Sequence, residues 1–79
     1  MITWYNDFES SNVNRLGYSA ETQEAHVEFK DKTGNVTSTW AYGRISFEDF
    51  ELIHHAPSVG AAVNRHLVRG GIYSSRKVS

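Results

Sequence analysis

The segment Glu24-Ala-His-Val-Glu-Phe-Lys30 limits this chain more than any other, because it alternates without a fault. Ala25, Val27 and Phe29 fall on one side and Glu24, His26, Glu28 and Lys30 on the other, and a strand points successive side chains to opposite faces. Such a strand buries one face and wets the other, which is the habit of antiparallel sheets. Asp31-Lys-Thr-Gly-Asn35 follows, with Gly34 and Asn35 suited to positive φ in a hairpin loop, so Val36 to Tyr42 should return alongside. Upstream, Val13 to Ser19 fits another strand, with Leu16 and Tyr18 on one face and Gly17 as a bulge or a point of close approach. Ala20 to Gln23 turns the chain between them, and the expectation is a three-stranded antiparallel meander.

The pattern then changes to a helical one. Ser46 can cap free amides while Asp49, three residues on, completes a capping box, and Ile45 with Phe50 fits a hydrophobic staple. Phe47, Phe50, Ile53 and His54 form the apolar stripe of a first helix that Pro57 ends. Ser58 caps a second helix through Leu67, with Val59, Ala62, Val63, His66 and Leu67 on one side and Gly70-Gly71 as the stop. Ile72 and Tyr73 are expected to return to the core. The predicted fold class is α+β: a three-stranded antiparallel β-meander followed by two short α-helices packed on one sheet face.

With 79 residues and no Cys, the chain has room for one packed core and no disulfide to support it. A single domain over 1–79 is expected, with 1–9 as an aromatic flank carrying Trp4, Tyr5 and Phe8, and 74–79 as a basic flexible tail. Residues 1–51 hold all nine acids against Arg15, Lys30, Lys32 and Arg44, a net of −5, whereas residues 52–79 hold Arg65, Arg69, Arg76 and Lys77 with no acid, a net of +4. This polarity implies an anion-facing end or a self-complementary surface. No apolar run has the length of a membrane span and the start lacks a secretion signal, so the cytoplasm is the expected location.

Gly17-Tyr18, Val27-Glu28-Phe29, Trp40-Ala41-Tyr42, and Ala56-Pro57-Ser58-Val59-Gly60 leading to Asn64-Arg65-His66-Leu67 together resemble the KTSC domain. The resemblance runs from about Ser10 to Tyr73, and its most specific stretch is Ser58, Gly60, Asn64 and Arg65. That family occurs as stand-alone proteins of about this size and at the C-terminus of some lysyl-tRNA synthetases, with a Tyr-x-Tyr in its last strand; here the first Tyr is Trp40. The resemblance implies the meander-plus-helices architecture, and RNA binding has been suggested for the family from its synthetase association.

The candidate nucleic-acid-binding residues are Arg65, Arg69, Asn64, His66, Trp40, Tyr42, Arg76 and Lys77. Guanidinium forks match phosphate oxygens, and an exposed aromatic pair two apart on a strand can stack on unpaired bases. Each has a bland counterpart: cations complement a helix C-terminus, and Trp40 and Tyr42 can simply pack the sheet face, the favoured reading because the helix stripe needs a large surface to cover. Asn64 is read as bonding the loop near Gly43 or Arg44, and Gly60 as a close-approach point.

No catalytic motif is present, and no enzyme activity or cofactor is expected. Nor is a metal, because His54 and His55, adjacent on a helix, diverge by about 100°. The expected function is a non-enzymatic module binding RNA or single-stranded nucleic acid. The alternative is a protein-interaction module or homo-oligomer pairing its oppositely charged halves.

Overall fold

A computed structural model describes all 79 residues. Its sheet has five antiparallel strands in sequence order, β1 (Thr3–Tyr5), β2 (Val13–Ser19), β3 (Glu24–Lys30), β4 (Val36–Tyr42) and β5 (Ser75–Lys77). The α+β class and the central meander stand as predicted, but the sheet has five strands, not three. Both supposed extremities are edge strands. In β1, Trp4 faces Gly17 and Tyr5 faces Leu16; in β5, Lys77 faces Trp40 and Arg76 faces Ala41. Backbone bonds continue beyond β5 on both sides, Gly43 N–H to Ser74 C=O at 2.9 Å and Thr39 N–H to Ser79 C=O at 2.9 Å. Residues 74–79 are therefore laid along β4 and are no loose tail. Each edge pairs through three residues only, too short a run to show the alternating apolar pattern that marks a strand in sequence.

Helix α1 (Phe47–His54) is capped by Ser46 as read, its Oγ accepting the Asp49 N–H at 3.1 Å with Ile45 and Phe50 buried on either side, but the Asp49 carboxylate turns to Tyr73 and does not complete the capping box. Its stripe puts Phe50, Ile53 and His54 into the core but leaves Phe47 half exposed. Helix α2 (Val59–Val63), capped by Ser58 Oγ on the Ala61 N–H, runs directly into a π-helical stretch, Asn64–Val68, closed by the Arg69 N–H on the Asn64 C=O at 2.8 Å. The wider turn rotates each residue less than an α-helix does. His66, placed on the apolar side by α-periodicity, therefore swings out to solvent while Leu67 stays buried.

The helices cover the sheet face carrying Leu16, Tyr18, Ala25, Val27 and Tyr42, making one cluster of 13 buried residues with Val13, Ile45, Phe50, Ile53, Val59, Ala62, Val63 and Leu67. Complete burial of a side chain like Phe50 contributes about 1.5–3 kcal/mol. Tyr18 reaches through this layer to donate its hydroxyl to the Ile45 C=O at 2.8 Å, tying β2 to the start of α1. Ile72, expected to return inward, is 79 % exposed; Tyr73 alone packs against the core. In the β3–β4 loop only Gly34, at φ 90°, takes the positive angle, and Asp31 Oδ1 accepts the Thr33 and Asn35 amides.

The other sheet face has its own cover. Trp4 lies across Gly17, with the Arg15 guanidinium 3.8 Å above its ring and His26 edge-on at 6.1 Å. Arg15 also pairs with Glu28. The only register shift on β2 lies between Val13 and Arg15, so Gly17 is the close-approach point and not a bulge. A Cβ there would sit 2.7 Å from Ile2 Cγ2 and 2.9 Å from the Trp4 ring. Gly60 is similar: a Cβ would lie 2.3 Å from Asn12 Oδ1. Beneath Trp4, burial holds the His26 imidazole below its ordinary value of 6.5, Glu24 opposing the shift and Arg76 adding to it.

Two outcomes are expected. Gly17→Ala should displace β1 and cost about 1–3 kcal/mol, read by chemical denaturation, since overpacking a tight contact has that magnitude; an unchanged midpoint would show that Trp4 is not seated on the glycine. Because the folded His26 pKa is lowered, its stabilisation is complete above 6.5 and is lost as pH falls from there through the folded value. His26→Gln should flatten the part of the stability profile that falls as pH drops below 6.5, as measured by urea denaturation across pH.

Candidate functional site

The helices cover the sheet incompletely toward β4 and β5. There the inner sheet face and the π-helical stretch frame a cleft of about 470 Å³, lined by Phe29, Trp40, Tyr42, Asn64, Leu67, Val68, Gly71, Tyr73 and Ser75. Pockets that hold small organic groups span about 300–1,000 Å³ and are mostly apolar with a few polar groups, which describes this one. Its floor follows from register. Val27 faces Trp40 and Ala25 faces Tyr42 across β3–β4, so both aromatics lie on the helix-facing side.

The two differ in exposure. Tyr42 is 5 % exposed and belongs to the core, and burial raises its hydroxyl above 10.0. Trp40 is only half-buried: it packs against the core with one part of the ring and presents the rest to the cleft. Tyr73, also raised by burial and then by the Asp49 charge, closes one side. Lys77, opposite Trp40 in the β4–β5 register, sits on the same face at the sheet edge.

The basic residues divide by where the fold sends them. Arg76 opposes Ala41 on the outer face and holds Glu24 with both Nε (3.3 Å) and Nη2 (3.2 Å), which in turn lowers the Glu24 carboxyl. It is thus removed from the cleft and from the free cations. Arg65, Arg69 and Lys77 are exposed and make no ion pair. Arg69 follows Asn64 by one π turn and lies in sequence between the lining residues Val68 and Gly71. Asn64 is exposed and makes no side-chain bond to the Gly43–Arg44 loop; Ser74 occupies the space beside Gly43 instead, and Asn64 lines the cleft. His66 faces a different, smaller recess with Asp49, Leu52, Ile53 and Tyr73.

Residues 9–69 match the KTSC domain family, which is most of the chain. The chain belongs to that family. A KTSC domain protein from Yersinia pestis, known from its crystal structure, has the same fold with a TM-score of 0.77 over 100 % of both chains at 19 % sequence identity. No curated protein matches the chain. In this KTSC domain the aromatic pair of β4 and the Asn64 of the helical motif, far apart in sequence, meet in one cleft. No helix is long and apolar enough to cross a membrane.

A second cluster forms at the end of α1, where sequence reasoning placed nothing. Glu51, His54 and His55 bring one ligand-type atom each within 4.8 Å of one another, and the two imidazole centroids are 4.5 Å apart. The divergence expected of neighbours on a helix fails because α1 ends at His54. His55 is its C-cap at φ −96°, ψ 9°, outside the helical geometry that the 100° rule assumes.

Trp40 generates the site's direct check. In a Trp4→Phe variant it is the sole indole, and its emission should show intermediate quenching by acrylamide. Quenching near zero would mean a closed cleft; quenching like that of free tryptophan would mean no packing against the core.

Proposed function

We propose that this KTSC domain is a non-enzymatic binding module that takes a base of single-stranded RNA into the aromatic cleft while Arg69, Arg65 and Lys77 neutralise the adjoining phosphates. The observation carrying this reading is a partly buried Trp40 in an open apolar cleft, with Lys77, a cation that no carboxylate engages, facing it across the β4–β5 register. A nucleobase offers a π-face to Trp40 and polar edges to Asn64 and Ser75, and stacking on one aromatic side chain is worth about 1–3 kcal/mol. The suggested role of the family in RNA binding agrees with it. A second reading, a protein-interaction module or homo-oligomer, draws support from Leu52 and Ile72, which are 73 % and 79 % exposed.

The test is a titration of fluorescein-labelled single-stranded RNA at two salt concentrations. Binding should weaken as salt rises, Trp40→Ala should cost about 1–3 kcal/mol, and Arg69→Glu or Lys77→Glu should each reduce the salt slope by about one. Arg15→Gln, on the outer face, should change neither. Salt-independent binding, or equal loss from Arg15→Gln, rejects the reading. Absence of RNA binding together with a dimer in light scattering selects the second one.

A further inference from the structure

His54 is the one buried side chain with a polar atom left unpartnered. Its ring is 5 % exposed, clasped by Tyr5 at 4.6 Å, Phe50 at 6.0 Å and Phe8 at 6.2 Å between centroids. Nε2 bonds Asp7 Oδ1 at 2.7 Å, and Nδ1, wholly buried, has no hydrogen-bond partner. An ionised Asp7 can only accept, so Nε2 carries a proton, and the tautomer this selects for the neutral imidazole has its lone pair on Nδ1. That lone pair points where Glu51 and His55 gather: Glu51 Oε1 is 3.6 Å from it, and Glu51 Oε2 is 2.6 Å from His55 Nε2.

A carboxylate oxygen cannot satisfy a lone pair; both are acceptors. What fits between them is a cation. The arrangement of a carboxylate fixing the far nitrogen of a histidine, whose near nitrogen faces another carboxylate and a second imidazole, is the construction by which proteins orient metal ligands. Two imidazoles and one carboxylate suit a borderline divalent ion, with a fourth position left to solvent.

We propose that Glu51, His54 Nδ1 and His55 Nε2 form a binding site for a divalent transition-metal ion of the zinc class, with Asp7 as the positioning residue behind His54. The ion replaces the hydrogen bond between Glu51 and His55 and fastens the end of α1, through Asp7, to the loop joining β1 and β2. It shares no residue with the aromatic cleft, so its success or failure is independent of RNA binding. The motif is Asp7 followed, far along the chain, by Glu51-x-x-His54-His55, and its long separation is why spacing alone does not reveal it.

The probe is Co²⁺, with Zn²⁺ for competition. Chelator-treated protein given Co²⁺ should develop visible d–d bands of a low-coordinate nitrogen-and-oxygen site, bleached by equimolar Zn²⁺, and Zn²⁺ should raise the melting temperature. His55→Ala and Glu51→Gln, both at the helix surface, should abolish the bands while the protein remains folded by circular dichroism. His66→Ala should leave them intact, and Asp7→Asn should weaken affinity about 10–100-fold. Absence of bands in the wild-type protein, or bands that survive both His55→Ala and Glu51→Gln, overturns the proposal.

Discussion

The width of the helical cover decides most of this structure. A five-stranded sheet presents one inner face, and the chain has only eight residues of α1 and five of α2, extended by a π-helical stretch of five, to lay over it. Phe50, Ile53, Val59 and Val63 suffice to seal β2 and β3, where the residues with no measurable exposure concentrate: Leu16, Ala25 and Val27. They do not reach β4 and β5 completely. The cleft floored by Trp40 is the part of the sheet that the helices leave over, and the π-helical widening at Asn64 sets its opposite wall. The candidate site thus lies where packing runs short, a common relation between scaffold and site.

The two faces of the sheet solve the same problem by different means. Inside, aliphatic and aromatic side chains interlock with few polar atoms among them, and the Tyr18 hydroxyl finds a backbone carbonyl. Outside, one indole does the covering, held down by Arg15 from above and admitted from below by the missing side chain of Gly17. The ion pairs Arg15–Glu28 and Arg76–Glu24 flank it. A tryptophan on an edge strand thereby keeps His26 dry and neutral, so a face that the alternation pattern assigns to water is partly withdrawn from it.

Legibility followed the range of the interaction. The caps at Ser46 and Ser58, the hairpin between β3 and β4 and the staple of Ile45 with Phe50 each depend on residues within a turn of one another, and all were readable. What was not readable depends on distant partners. Ser75–Lys77 becomes a strand because β4 has a free edge, and Trp4 is seated because Gly17 leaves room. His66 turns outward because the helix changes pitch after Val63, where no Gly or Pro announces the change. Asp7 and His54 meet across most of the chain, and His54 and His55 converge because the helix stops between them. The charge polarity was real in sequence, yet of the four cations in residues 52–79 Arg76 is bound to Glu24, and Arg65, Arg69 and Lys77 remain unpaired.

The route of the chain to β5 bears on how the molecule comes apart. Strands β1 to β4 are joined by consecutive short connections, so each pairing closes a small loop. Strand β5 instead returns across both helices to meet β4 through three facing residues. Its ordering carries the largest closure entropy for a pairing no longer than that of β1, which makes it a segment of low opening free energy. Since Ser75 belongs to it, local unfolding of the terminus and widening of the aromatic recess are one motion, and amide exchange there would report the breathing of the cleft long before the meander itself lets go.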